Sequence, residues 1–155
     1  MRLLLMSSLT CLIFLACQTD TETLKSSEIT TINDNAEAEI KAALQQQAKD
    51  WNAGSIDDFM KGYWKSSELT FIGSRGLTKG WKTTLSNYKK SYPDSEAMGE
   101  LIFEVLQLTS ITNESYYMVG RYTLLRKEDE PSGIFMLVWK KIDGAWKIIA
   151  DQTCG

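Results

Sequence analysis

The chemistry open to this chain is bounded first by an absence: its 155 residues include no histidine. The commonest general base near neutral pH and the commonest metal ligand are therefore missing. Acid–base work falls to Asp, Glu, Tyr or Lys, and neither a metal site nor a cofactor is expected. Two carboxylates are candidates. Glu104 shares a strand face with Glu100 and Ile102, while Leu101, Phe103 and Val105 take the other face. That face is either solvated or turned into a pocket, where desolvation would raise a carboxyl to a useful pKa. Asp151 lies in the last apolar run, next to Gln152. Alternation groups Gln152 with Trp146, Ile148 and Ala150, so Gln152 is expected to point inward and Asp151 outward unless a bulge intervenes.

Three further groups could meet a ligand. Arg121, mid-strand in Gly120-Arg121-Tyr122, can pair with a sheet carboxylate such as Asp151 or Glu104, or can hold a ligand carboxylate with its bidentate fork. Gln152 can bind through its amide. Tyr63, Trp64, Trp81 and Tyr88 lie on helices; they are either core aromatics or the lining of an aromatic cavity with phenol donors. Lone Cys154, on a chain end with no base beside it in sequence, is read as incidental.

These residues need a scaffold. Asp34 and Glu37 form a capping-box pattern, and Ile40, Ala43, Leu44, Ala48 and Trp51 follow at helical spacing until Asn52-Ala53-Gly54. Ser55 and Asp58 open a second helix carrying Ile56, Phe59, Met60 and Tyr63 on one face. Glu68 to Ile72 alternates as a strand, turned at Gly73-Ser74-Arg75-Gly76. Trp81, Leu85, Tyr88 and Tyr92 mark a third helix, which Pro93 stops. Strands are expected over Leu101–Leu108, Tyr116–Leu125, Ile134–Lys141 and Ala145–Thr153, the last two joined by the hairpin signal Asp143-Gly144. The expectation is an α+β domain, three helices packed on a curved antiparallel sheet, with a pocket between the layers.

The beginning of the chain reads differently. Met1-Arg2 followed by a nearly continuous apolar run to Ala16 has the length of a signal h-region and is short for a membrane span. Ile13-Phe14-Leu15-Ala16-Cys17 resembles a bacterial lipobox, which implies lipidation of Cys17, membrane contact through that lipid, and a place in the cell envelope facing periplasm or cell surface. The organisation expected is a signal peptide over 1–16, a flexible linker over 17–33 and one domain over 34–155. A net charge of −3 without a basic stripe argues against nucleic acid as a partner.

The order of elements, with Trp51-Asn52-Ala53-Gly54, Phe71-Ile72-Gly73, Gly80-Trp81, Gly120-Arg121-Tyr122, the run Gly133–Lys141 and the final Gly144-Ala145-Trp146-Lys147-Ile148-Ile149-Ala150-Asp151-Gln152-Thr153, resembles the nuclear transport factor 2-like superfamily, in its SnoaL-like and ketosteroid isomerase-like branch. The resemblance implies a cone-shaped fold, a homodimer, and a small-molecule pocket. Relatives often carry His where this chain has Ile134 and Gln152, so histidine-dependent chemistry is not expected. Three functions stay open. One is binding of a small apolar or aromatic molecule. The second is an isomerase, cyclase or dehydratase using Glu104 or Asp151. The third is an interaction module working through the outer sheet face.

Overall fold

The computed structural model describes residues 20–155, with side chains from Asn35 onward. The stretch expected to be a signal peptide, and Cys17, lie outside the described residues. The first helix, α1, runs over Asp20–Asn52. It thus begins well before the capping box, inside the stretch expected to be a linker. Residues 20–33 contain neither Gly nor Pro, so nothing in them stops a helix already nucleated downstream. Ala36, Ile40, Leu44 and Trp51 form the buried stripe of α1. Its C-terminal end is clamped to the sheet by Asn52, whose Nδ2 donates to the Leu101 carbonyl at 3.1 Å while its Oδ1 accepts from the Leu101 N–H at 2.7 Å.

Ser55 caps a short α2 (Ile56–Phe59) by accepting from the Asp58 N–H. A 3-10 turn over Met60–Gly62 follows, and Tyr63 leaves it in extended conformation. After the hairpin β1 (Thr70–Gly73) and β2 (Gly76–Lys79) comes α3 (Trp81–Ser91), then a short α4 (Ser95–Met98) that the sequence reading omits, capped by Asp94. Four long strands complete the chain: β3 (Glu100–Thr112), β4 (Ser115–Leu125), β5 (Ser132–Ile142) and β6 (Ala145–Cys154). Asp143 and Gly144 both have positive φ, 50° and 80°, the backbone that a two-residue hairpin turn requires.

The six strands form one sheet in the order β2-β1-β6-β5-β4-β3. Neighbours are antiparallel except β1 and β6, which run parallel, so the sheet is mixed. A bulge in β6 decides which of its side chains turn inward. Ala150 pairs with Val138 and Ile148 with Trp139, leaving Ile149 as an extra residue. Upstream of it the buried side chains are Trp146 and Ile148; downstream the buried one is Asp151. The core lies between α1 and the sheet, with Trp139, Tyr116, Met118 and Ile148 at its centre.

Candidate functional site

The site is an open-mouthed cavity of about 250 Å³ bordered by α1, α2, α3, the β1–β2 hairpin and the inner face of the sheet. Several aromatic rings stand in its walls, beside aliphatic and polar side chains. Trp51 meets Phe59 and Tyr92 edge-on at centroid distances of 5.1 and 4.8 Å, and Tyr88 touches Phe59 and Phe71 at 5.3 and 5.8 Å. These rings arrive from three helices and a strand, and their quadrupoles favour such edge-to-face contacts.

One carboxyl stands among them. Asp151 is 4% exposed; its Oδ2 accepts from the Tyr63 hydroxyl at 2.7 Å and its Oδ1 from Thr153 Oγ1 at 2.6 Å. Burial pushes Asp151 up from an ordinary 3.8 to about 6, because water no longer stabilises its charge; the Thr153 and Tyr63 hydrogen bonds hold it from rising further. The Tyr63 and Tyr88 hydroxyls lie 3.5 Å apart. Burial, and then the neighbouring Asp151 charge, raise both phenols well above their usual range. They remain protonated at physiological pH and act as donors. The cluster therefore pairs a carboxyl that exchanges its proton near pH 6 with two phenols that do not ionise.

The bulge corrects the expected facing of the last strand. Asp151 and Thr153 line the cavity, whereas Gln152 is exposed and points away from it. The extra residue Ile149 shifts the alternation by one, so counting in twos from Trp146 gives the wrong face beyond it. Tyr63 and Tyr88 line the cavity. Trp64 does not: in the extended segment after the 3-10 turn its side chain alternates away from that of Tyr63, while its N–H donates to the Ile148 carbonyl at 2.9 Å. Trp81 also stays out of the cavity. From the first turn of α3 its Nε1 donates to the Met60 carbonyl at 2.9 Å, and the Lys65 ammonium sits over its ring, so it ties the helix to the turn. Glu104 and Arg121 are directly opposite each other on β3 and β4 and form an exposed ion pair of 2.9 Å on the outer face. Of the residues picked for the pocket, Tyr63 and Tyr88 reach it; of the two carboxylates, Asp151 does.

Gln47 is a cavity residue the sequence reading passed over, although it stands on the apolar stripe of α1 between Leu44 and Trp51. A polar side chain inside such a stripe was its signal. Arg75, in the β1–β2 turn, lines the mouth, and its signal was weaker because turn residues are usually polar. Among the described residues no three Cys, Asp or Glu side chains converge as metal ligands, and no helix is long and apolar enough to cross a membrane.

Helices over the concave face of a mixed sheet, with an aromatic cavity and a buried acid between them, define a cone-shaped pocket protein. Comparison with solved structures places it further. An NTF2-like protein of unknown function from Shewanella oneidensis MR-1 is 38% identical, with a TM-score of 0.75 over 77% of this chain and 99% of that one. The chain belongs to the NTF2-like family. A domain of unknown function with a cystatin-like fold from Nostoc punctiforme matches at 21% identity and a TM-score of 0.64, over 76% of this chain and 75% of that one. A ketosteroid isomerase-like protein from Erwinia carotovora atroseptica matches at 13% and 0.59, over 76% and 93%; both of these likenesses are of fold alone. No protein-family model and no curated protein matches the chain.

Proposed function

We propose that this domain binds a small, mainly aromatic or apolar molecule in its cone, without histidine-dependent chemistry. The observation that carries the reading is Asp151, a buried carboxyl held by Tyr63 and Thr153 on the wall of a cavity that Trp51, Phe59, Phe71 and Tyr88 also line. A buried acid adds little to a fold that apolar residues would hold equally well, whereas a fixed polar group in an apolar pocket orients a ligand. Size narrows the class. An apolar cavity of about 150 Å³ takes up benzene. The cavity here, about 250 Å³, suits one substituted ring or a compact fused pair. Titration of 4-methylphenol into isotope-labelled domain should give saturable shifts at Tyr63, Tyr88 and Asp151, weakened by Tyr88→Ala in a protein that still melts cooperatively. A folded domain that shows no shifts with 4-methylphenol or indole would overturn the reading.

A second reading, that of an isomerase, cyclase or dehydratase, is favoured by the rise of Asp151 to about 6, which poises it for proton transfer near neutrality. It predicts deuterium exchange at the α-carbon of bound cyclohexenone in heavy water, lost in Asp151→Asn. Cyclohexenone that binds without exchange would rule this out.

The setting is part of the same proposal: an exported domain tethered through a lipid on Cys17, working as a homodimer. The exposed outer-face residues Ile102, Ile134 and Met136, at 45%, 43% and 46%, support a second copy on that face. A sedimentation experiment finding only monomer at high concentration would remove the dimer, and lipid labelling that persists in Cys17→Ser would remove the tether.

A further inference from the structure

Asp151, Tyr63 and Tyr88 form a chain of oxygens whose hydrogens can be followed. An ionised Asp151 has no hydrogen, and both of its partners donate to it: the Tyr63 hydroxyl at 2.7 Å and Thr153 Oγ1 at 2.6 Å. The Tyr88 hydroxyl, 3.5 Å from that of Tyr63, is the next donor in line, drawn towards the Tyr63 oxygen and the charge behind it. Once Asp151 takes up a proton this arrangement no longer fits. A carboxylic acid carries a hydrogen of its own, and here that hydrogen faces two donors. One of them must turn. Tyr63 is the partner with a second oxygen beside it, so it can accept from Asp151 and donate to Tyr88 instead. The Tyr88 hydrogen is then displaced from Tyr63.

Tyr88 is where this chain meets the cavity. Asp151 and Tyr63 are each 4% exposed, whereas Tyr88 is half-buried and lines the cavity from α3. Little else around the cluster responds to mild acid. Among the described residues Asp151 is the only carboxyl side chain lining the cavity, and the sequence has no histidine. Phe71 of β1 and Leu137 of β5 stand opposite Asp151 in register. Against Tyr88 lie the Trp51 ring of α1, Tyr92 at the end of α3 and Tyr122 of β4, with the Arg75 and Arg126 guanidiniums acting on Tyr92. Phenols and guanidiniums do not change charge between pH 5 and 7.5.

Resting on the reading that the cone takes a ring compound, we propose that Tyr88 is its specificity-determining residue and that the proton on Asp151 decides the class: rings bearing a hydrogen-bond acceptor, such as aryl ketones, are favoured when Asp151 is protonated, and rings bearing a donor when it is ionised. With Asp151 protonated, the Tyr88 hydroxyl turns its hydrogen to the ligand. With Asp151 ionised, that hydrogen is held towards Tyr63 and the Tyr88 oxygen offers lone pairs. Binding of an acceptor therefore takes up a proton, and binding of a donor releases one. Asp151 changes state at about pH 6, so the two classes respond in opposite directions on either side of it. No bond of the ligand breaks; the device selects what enters.

The test is calorimetric titration of the chain at pH 5 and pH 7.5 with acetophenone, which only accepts a hydrogen bond, and indole, which only donates one. Acetophenone should bind about three- to ten-fold tighter at pH 5, and indole about two- to five-fold tighter at pH 7.5. In Tyr88→Phe, which keeps the ring, both ratios should fall to about one, while carbon-13 titration still finds the Asp151 midpoint. A Tyr88 that only supports the fold would lower both affinities and leave the ratios in place. Asp151→Asn should also remove both ratios; if that variant fails to fold, Tyr88→Phe decides alone. Saturable binding of both compounds without any pH response, or a response that survives Tyr88→Phe, overturns the inference while the cone reading stands. Failure of both compounds and of 4-methylphenol to bind at either pH overturns the two together.

Discussion

Asp151 and Glu104 carry the same functional group on opposite faces of one sheet, and the two faces make different chemical objects of it. Glu104 is exposed and paired with the fixed charge of Arg121 across the strands, in a medium where water and salt screen the pair. Asp151 is buried and has only neutral donors, a phenol and a hydroxyl, so its charge is costly and its proton is held until about pH 6. Arg121, on the outer face, offers it no charge. Placement, not residue type, decides that Asp151 holds its proton until about pH 6.

The comparison breaks most visibly with pH. A rise from 3.8 to about 6 corresponds to about 3 kcal/mol. The native state binds the Asp151 proton more tightly than the unfolded chain does, so this contribution to stability is full below pH 4 and lost as pH rises through 6. Chemical denaturation of wild type and Asp151→Asn at a series of pH values should show wild type losing about 3 kcal/mol relative to the variant between pH 4 and 7. A constant difference would mean that Asp151 titrates as an exposed acid. A smaller effect is expected from Tyr63→Phe, which keeps the ring and removes the donor to Asp151. It should cost about 1–2 kcal/mol and raise the Asp151 midpoint further, read by carbon-13 titration of its carboxyl. A lowered midpoint would contradict the placement of that hydrogen bond. The smallest belongs to the outer face: Glu104→Gln should cost less than about 1 kcal/mol, with the loss vanishing in molar salt. A larger, salt-insensitive loss would show the pair to be shielded, as at a subunit interface.

Much of the scaffold was legible because local signals agreed. Asp143-Gly144 named its hairpin, Ser55 its helix start and Pro93 its helix end, and the apolar runs after residue 100 became four strands. The site was legible only in part, because it depends on where alternation is interrupted. Trp64 follows Tyr63 immediately, and nothing local tells whether that pair is helical, with both rings near one face, or extended, with rings on opposite sides. The observed parallel bridge from Tyr63 to Ile148 settles it, and it is a contact across 85 positions that no window of sequence reveals. The facing of Asp151 is a similar case. The bulge is a relation between Ile149 and the Val138–Trp139 pair on the neighbouring strand, so β6 read alone assigns Gln152 to the interior. Gln47 differs: its position in an apolar stripe was visible, and only its meaning required seeing the cavity.

The extra residue in β6 also bears on how this gene can change length. Loss of the codon for Ile149 would leave Ala150 opposite Val138 and Asp151 opposite Leu137, the partners they already have. On the β5 side the acid would keep its facing, but on the other edge Ile148 bridges Tyr63 while Ala150 pairs with Thr70. The same deletion would draw those two contacts together by one residue, so the extra residue is the spacer that lets Tyr63 and β1 both reach β6.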